Sequence, residues 1–379
     1  MGNLFKTTFC VFSFLILSFS PNSISQEVEE VVVTATKKEE SIQDIAVSIQ
    51  AFDASSIAAD QIYDLSDLAE VVPGFGVGKT IGSGSAFLVR GIGSFGIGAA
   101  VTGSFVAAVN GHSVSESVMS DLGFIDLERI EVLKGPQGTL FGRNAVAGVV
   151  NLVTARPSDE LGGYIDYEVG SLDRNLIKGA INVPISNDVR MRLAFAQNSR
   201  DAIVENLPVE DYFVLDTTGG DFDDRNDQSI RLSVDWDIND ITELKFTYSG
   251  QKSEDTRPQE EVSFCQQDQF FGCSPWERGP INSSADSRGI GAGFFGFFAA
   301  LYPSTITNGY ANSPRSTDFG SQYLNRSPMH YQEAEFTNLQ LDRQLNDNLL
   351  LTAKYTYETR RFMQINDNDG SISVDPLLG

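Results

Sequence analysis

From residue 163 onward the chain alternates apolar and polar side chains with a period of two, in about seven separate segments. They cover residues 163–169, 176–183, 189–196, 229–238, 242–249 and 349–358, with a weaker one at 331–342. In the first, Ile165, Tyr167 and Val169 share one face while Tyr164, Asp166 and Glu168 take the other. In the fourth, Ile230, Leu232, Val234, Trp236 and Ile238 oppose Ser229, Arg231, Ser233, Asp235 and Asp237. A helix cannot satisfy this rhythm, because only a strand sends successive side chains to opposite faces. Soluble sandwiches alternate as well, so length and connections decide. The strands read as roughly 9–11 residues, the span of a tilted strand across lipid. Their connections are by turns tight (184–188, 239–240, 346–348) and long (199–228, 252–330). Short turns at one end and long loops at the other are the pattern of outer-membrane barrels. The expected fold is an α+β domain followed by a transmembrane antiparallel β-barrel.

The first 25 residues carry Lys6, an apolar run over 9–19, Pro21 and Ser23-Ile24-Ser25. This is a signal peptide with Gln26 as the mature start, and its run is shorter than the ~20 residues of a spanning helix. Residues 26–157 mix short helices and strands. Helices are expected over 53–59 and 65–72, the second stopped by Pro73-Gly74, and Asn110-Gly111 predicts a type I′ hairpin. Gly91-Ile92-Gly93-Ser94-Phe95-Gly96 matches the dinucleotide fingerprint in letters, but no helix start follows it. The run 135–144 lacks the Gly-Lys-Ser/Thr of a phosphate loop and predicts a crowded turn between two strands. Cys265 and Cys273, inside the longest loop of a secreted chain, are expected to form a local disulfide. The formal charge of −24 excludes a nucleic-acid binder, and two His residues speak against a His-rich metal enzyme or a Ser-His triad. No catalytic, cofactor or metal constellation is present in the sequence. Residues 30–35, β-branched and followed by a charged run, suit either a strand that pairs with another protein's sheet edge or an ordinary first strand.

Taken together these features resemble the TonB-dependent outer-membrane receptor family. Glu30, Val31, Val32, Val33, Thr34 and Ala35 look like the TonB box. Val89-Arg90-Gly91, Val109-Asn110-Gly111 and the run 126–145 look like the plug signature, in which Glu128, Arg129, Glu131, Lys134, Gly135, Gly138, Gly142, Arg143 and Asn144 are the marker residues. Lys134 stands where such plugs often have Arg, giving up a bidentate fork, and Asn110 replaces the commoner Asp.

The resemblance implies residues 1–25 as signal peptide, 26–40 as TonB box and linker, 41–157 as plug domain and 158–379 as the N-terminal part of the barrel. Barrels of this family have about 22 strands with the lumen plugged. About seven are legible here, and an open sheet in lipid leaves backbone groups unsatisfied, so a longer reading frame is expected. The implied function is active import of a scarce ligand, foremost a ferric siderophore, across the outer membrane of a Gram-negative bacterium. The implied partners are TonB with ExbB–ExbD, which deliver the proton-motive force, the ligand and outer-membrane lipid; no nucleic acid, cofactor or enzymatic activity is implied. A glycan, cobalamin or another nutrient is the alternative cargo, and a passive porin or adhesin the alternative class. Residues 91–103 and 110–120 are candidate ligand-facing plug loops, and Arg90 and Arg143 are expected to form buried pairs with carboxylates of the barrel wall, on strands of this chain or of the missing portion.

Overall fold

The computed structural model describes residues 32–34, 40–41, 43, 45, 47–79, 85–93, 104–114, 124–207, 220–256, 321–322 and 328–365. The signal peptide, Glu30, Val31, Ala35, Cys265 and Cys273 lie outside the described residues.

The N-terminal part runs β1 (Val32–Val33), β2 (Glu40–Ser41), β3 (Ser48–Asp53), α1 (Ala54–Ala59), α2 (Leu65–Val71), β4 (Phe75–Lys79), β5 (Ser85–Val89), β6 (Ile92–Gly93), β7 (Phe105–Val109), β8 (His112–Val114), β9 (Leu127–Lys134), α3 (Gly138–Phe141) and β10 (Gly148–Thr154). Both expected helices form and start where Asp can cap them. Asp53 accepts from the Ser56 N–H, and Asp64 makes a reciprocal capping box with Asp67. A five-stranded sheet of order β3-β9-β10-β7-β8 organises this part, antiparallel except for the β10–β7 pair. β10 is buried along its whole length, which explains why Val149-Val150-Asn151-Leu152-Val153 does not alternate. On one face Ile130, Val132, Val150 and Leu152 pack with Leu65, Leu68 and Val72 of the helical segment. On the other, Leu133, Val149, Val106 and Phe141 make a second, smaller core.

The rest is β11 (Gly162–Val169), β12 (Asn175–Pro184), β13 (Val189–Arg200), β14 (Glu205–Asn206), β15 (Arg225–Asn239), β16 (Thr242–Asp255), β17 (Ser321–Gln322), β18 (Met329–Asn346) and β19 (Leu349–Ile365). Seven of these form one sheet in the order β11-β12-β13-β15-β16-β18-β19, every pair antiparallel and every neighbour next in sequence apart from the short β14 and β17. Among the described residues no helix is long and apolar enough to cross a membrane.

The two faces of this sheet are reversed relative to a water-soluble protein. Ile165, Tyr167 and Val169 are 67%, 65% and 71% exposed, and Trp236, Tyr355 and Tyr357 also point outward. Arg231, Ser233 and Asp235, from the opposite face, are 2%, 1% and 5% exposed. An apolar outer surface around a polar interior is what a wall solvated by hydrocarbon requires.

Candidate functional site

The marker residues of the run 126–145 build a strand, a crowded turn and a strand. β9 leads into Gly135 at φ +106, and α3 ends on Gly142 at φ +87, both in the region that favours glycine. The Gly135 N–H donates to Ala147 O at 2.9 Å and the Gln137 N–H to Ala145 O at 2.7 Å, closing the turn. Gly138 opens α3, and the Asn144 carbonyl accepts from the Val146 N–H. Two hairpins follow the same logic. Asn110 and Gly111 (φ +51 and +72) turn β7 into β8, and Arg90 and Gly91 (φ +53 and +79) turn β5 into β6. Gly91 is thus the second residue of a hairpin turn.

The charged markers divide. Arg129 pairs with Glu128 and, through Nε at 2.8 Å, with the fully buried Glu131. Lys134 donates to Gln50 Oε1 at 3.2 Å, and burial first, then the neighbouring charge of Arg90, holds its ammonium below the usual range. Among the described residues Arg90 and Arg143 are both exposed, and Arg90 donates to Ser48 Oγ at 3.2 Å. Each side chain leaves a tight turn for open space rather than for a wall carboxylate among the described residues.

Of the candidate TonB box, Val32, Val33 and Thr34 are described. Val33 is fully buried, β1 pairs with β2 through Val32↔Ser41 and Val33↔Glu40, and the Thr34 N–H donates to Glu131 Oε1 at 2.8 Å. The segment therefore docks on the plug sheet.

Sequence reasoning missed the staples between this domain and the barrel wall. Asp126 accepts from Arg192 Nε at 2.7 Å and Arg192 Nη2 at 2.6 Å, and from Tyr164 Oη at 3.3 Å. Next to it, Arg231 donates through Nη1 to Ile125 O at 2.5 Å and through Nε to Ser249 Oγ at 2.9 Å. Arg156 pairs with Asp235, while within the wall Arg190 bridges Asp159 at 3.3 Å and Asp237 at 2.8 Å. The Asn110-Gly111 turn is held rather than presented. His112 Nδ1 lies 3.0 Å from Thr356 Oγ1 and Val109 packs on Phe336, both on the wall. The signal for these staples was available as arginines on the inward face of strands, but their partners are set only by tertiary structure.

A polar-lined seven-stranded wall stapled to a separately cored α+β domain resembles part of a plugged barrel. The family profile described as "TonB-dependent Receptor Plug Domain" matches residues 41–149. Residues 41–149 belong to that plug-domain family. The chain has curated relatives named as transporters and receptors. It is 31% identical over 152 residues to the vitamin B12 transporter BtuB of Vibrio vulnificus, a match covering 39% of the chain and 24% of BtuB. It is 40% identical over 62 residues to the pesticin receptor of Yersinia pestis, covering 16% of the chain and 9% of that receptor. Among solved structures, the siderophore receptor PiuA of Acinetobacter baumannii superposes with a TM-score of 0.61 at 16% identity, over 89% of the chain and 39% of PiuA. The ferric yersiniabactin uptake receptor FyuA of Yersinia pestis gives 0.59 at 17% identity, over 84% and 41%. The receptor thus spans about a quarter of BtuB and about two fifths of these structures.

Proposed function

We propose that this receptor takes part in active import across the outer membrane, energised by TonB with ExbB–ExbD, with a ferric siderophore as its cargo. The observation that carries the reading is the docking of Val33 and Thr34 on a plug that is itself stapled to the barrel wall. A strand held at the plug surface by a few contacts is suited to exchange partners and add to the sheet edge of TonB. In this reading Glu30, Val31, Val32, Val33, Thr34 and Ala35 bind TonB, residues 1–25 are the signal peptide, 41–157 the plug and 158–379 barrel. Cys265 and Cys273 are joined in the loop that meets the ligand. The siderophore assignment draws support from the likeness to PiuA and FyuA, which are named for siderophore and ferric yersiniabactin uptake.

The test is Val32→Pro in cells supplied with radiolabelled ferric chelates. Pro cannot donate to an added strand, so uptake should stop while surface binding persists. Uptake that survives Val32→Pro, or that a protonophore leaves unchanged, refutes energised import and favours a passive channel. A second cargo, cobalamin, is favoured by the identity to BtuB, and labelled cyanocobalamin accumulating in place of the chelates would establish it.

A further inference from the structure

The tether and the plug core meet at one carboxylate. Glu131 sits in β9 between Ile130 and Val132, fully buried, opposite Ala51 on β3 and Asn151 on β10. Its two oxygens serve different masters. Oε1 accepts from the Thr34 backbone N–H at 2.8 Å, from Thr34 Oγ1 at 3.2 Å and from Arg129 Nε at 2.8 Å, while Arg129 Nη2 donates to Thr34 Oγ1 at 3.2 Å. Oε2 accepts from Asn151 Nδ2 at 2.9 Å. The Asn151 amide oxygen in turn accepts from the Gly111 N–H at 2.8 Å, in the turn whose next residue, His112, meets Thr356 of the wall. Hydrogen bonds through Glu131 and Asn151, continued by the Gly111–His112 peptide, therefore join the tether to the barrel wall.

A buried carboxylate is costly unless its lone pairs are filled, and breaking one side of a buried network costs more than the network contributes when whole. Two of the three donors on Oε1 belong to Thr34. When the tether leaves, that oxygen keeps Arg129 and must recruit water. The charge of Glu131 thus acts on the position of the tether, whereas the sheet around it is held by apolar packing on both faces.

We propose that Glu131 is a positioning residue that latches residues 32–34 against the plug, so that the docked state withholds the TonB-binding segment until the latch is loosened. This rests on the reading of residues 30–35 as that segment. A purely structural strut would behave differently: its loss would loosen β9 and β10, not the tether selectively.

Hydrogen exchange on the whole receptor in detergent, without ligand, separates the two. Glu131→Gln keeps shape and removes charge; it should speed exchange of the peptide containing Thr34 by about tenfold or more, the scale of a lost charge-assisted hydrogen bond. Peptides of β9 and β10 should keep wild-type exchange. Thr34→Val, which leaves the core untouched, should act in the same direction with a smaller effect. Unchanged tether exchange in both variants, or equal acceleration of tether and β10, overturns the latch. In parallel, capture by the purified periplasmic domain of TonB should rise in Glu131→Gln. Faster tether exchange with no rise in capture sustains the latch and overturns the assignment of TonB as the partner.

Discussion

Asp126 is the strongest single point at which plug and wall are joined, and its removal should be measurable. Its carboxylate is 5% exposed, and Arg192, 16% exposed, holds both oxygens at 2.6–2.7 Å. The backbone at Asp126 sits at φ +49, which Asn tolerates, so Asp126→Asn isolates the charge from the fold. Removing one member of a buried pair costs about 3–5 kcal/mol, and the amide oxygen that remains offsets part of it, leaving about 2–4 kcal/mol. In urea that loss lowers the midpoint of plug unfolding by about 2 M, followed as loss of amide protection in residues 127–154 of the detergent-solubilised receptor. Arg192→Met should cost a similar amount, and the double variant little more than either alone. The coupling in the cycle should therefore be about 2–4 kcal/mol. Additivity to within about 0.5 kcal/mol would show that the pair does not staple the plug, whatever its geometry.

Three further outcomes are expected. Leu232→Arg, on the outward face between Arg231 and Ser233, should impair assembly by about 2–4 kcal/mol if it lies near mid-bilayer, read as loss of heat-modifiable mobility on gels; wild-type mobility would refute the lipid-facing assignment. Gly148→Ala places a Cβ 2.4 Å from Leu133 O and should destabilise the plug by about 1–3 kcal/mol in the same urea assay. Asp53 caps α1, and its carboxylate is held below the ordinary 3.8, first by the Ser56 N–H and then by the Ser55 hydroxyl. The cap therefore contributes above that value and is lost as pH falls through the lowered one. Asp53→Ala should cost about 0.5–2 kcal/mol at neutral pH and close to nothing in strong acid, as urea midpoints at the two pH values will report.

What the sequence made legible follows from where solvent imposes a pattern. Alternation located residues 229–238, 242–249, 331–342 and 349–358, whereas the strands extend over Arg225–Asn239, Thr242–Asp255, Met329–Asn346 and Leu349–Ile365. In the first half of β18 the inward residues His330, Gln332 and Ala334 alternate with outward Tyr331, Glu333 and Glu335, so both faces are largely polar and the period is weak. Hydrogen bonding continues there although hydrocarbon no longer selects side chains. Caps and turns were legible because Asp53, Asp64 and Asn110-Gly111 act within a few residues. Glu131 and Asp126 were not, because their partners Thr34 and Arg192 stand 97 and 66 residues away.

The long strands have a consequence beyond the lipid. The 18 residues of β18 span about 60 Å along their own axis, and tilted by about 40° they rise some 45 Å, against an apolar band of about 25 Å. The surplus continues beyond that band as hydrogen-bonded strand, so the rim of the wall is an ordered ladder and its loops begin well away from the lipid.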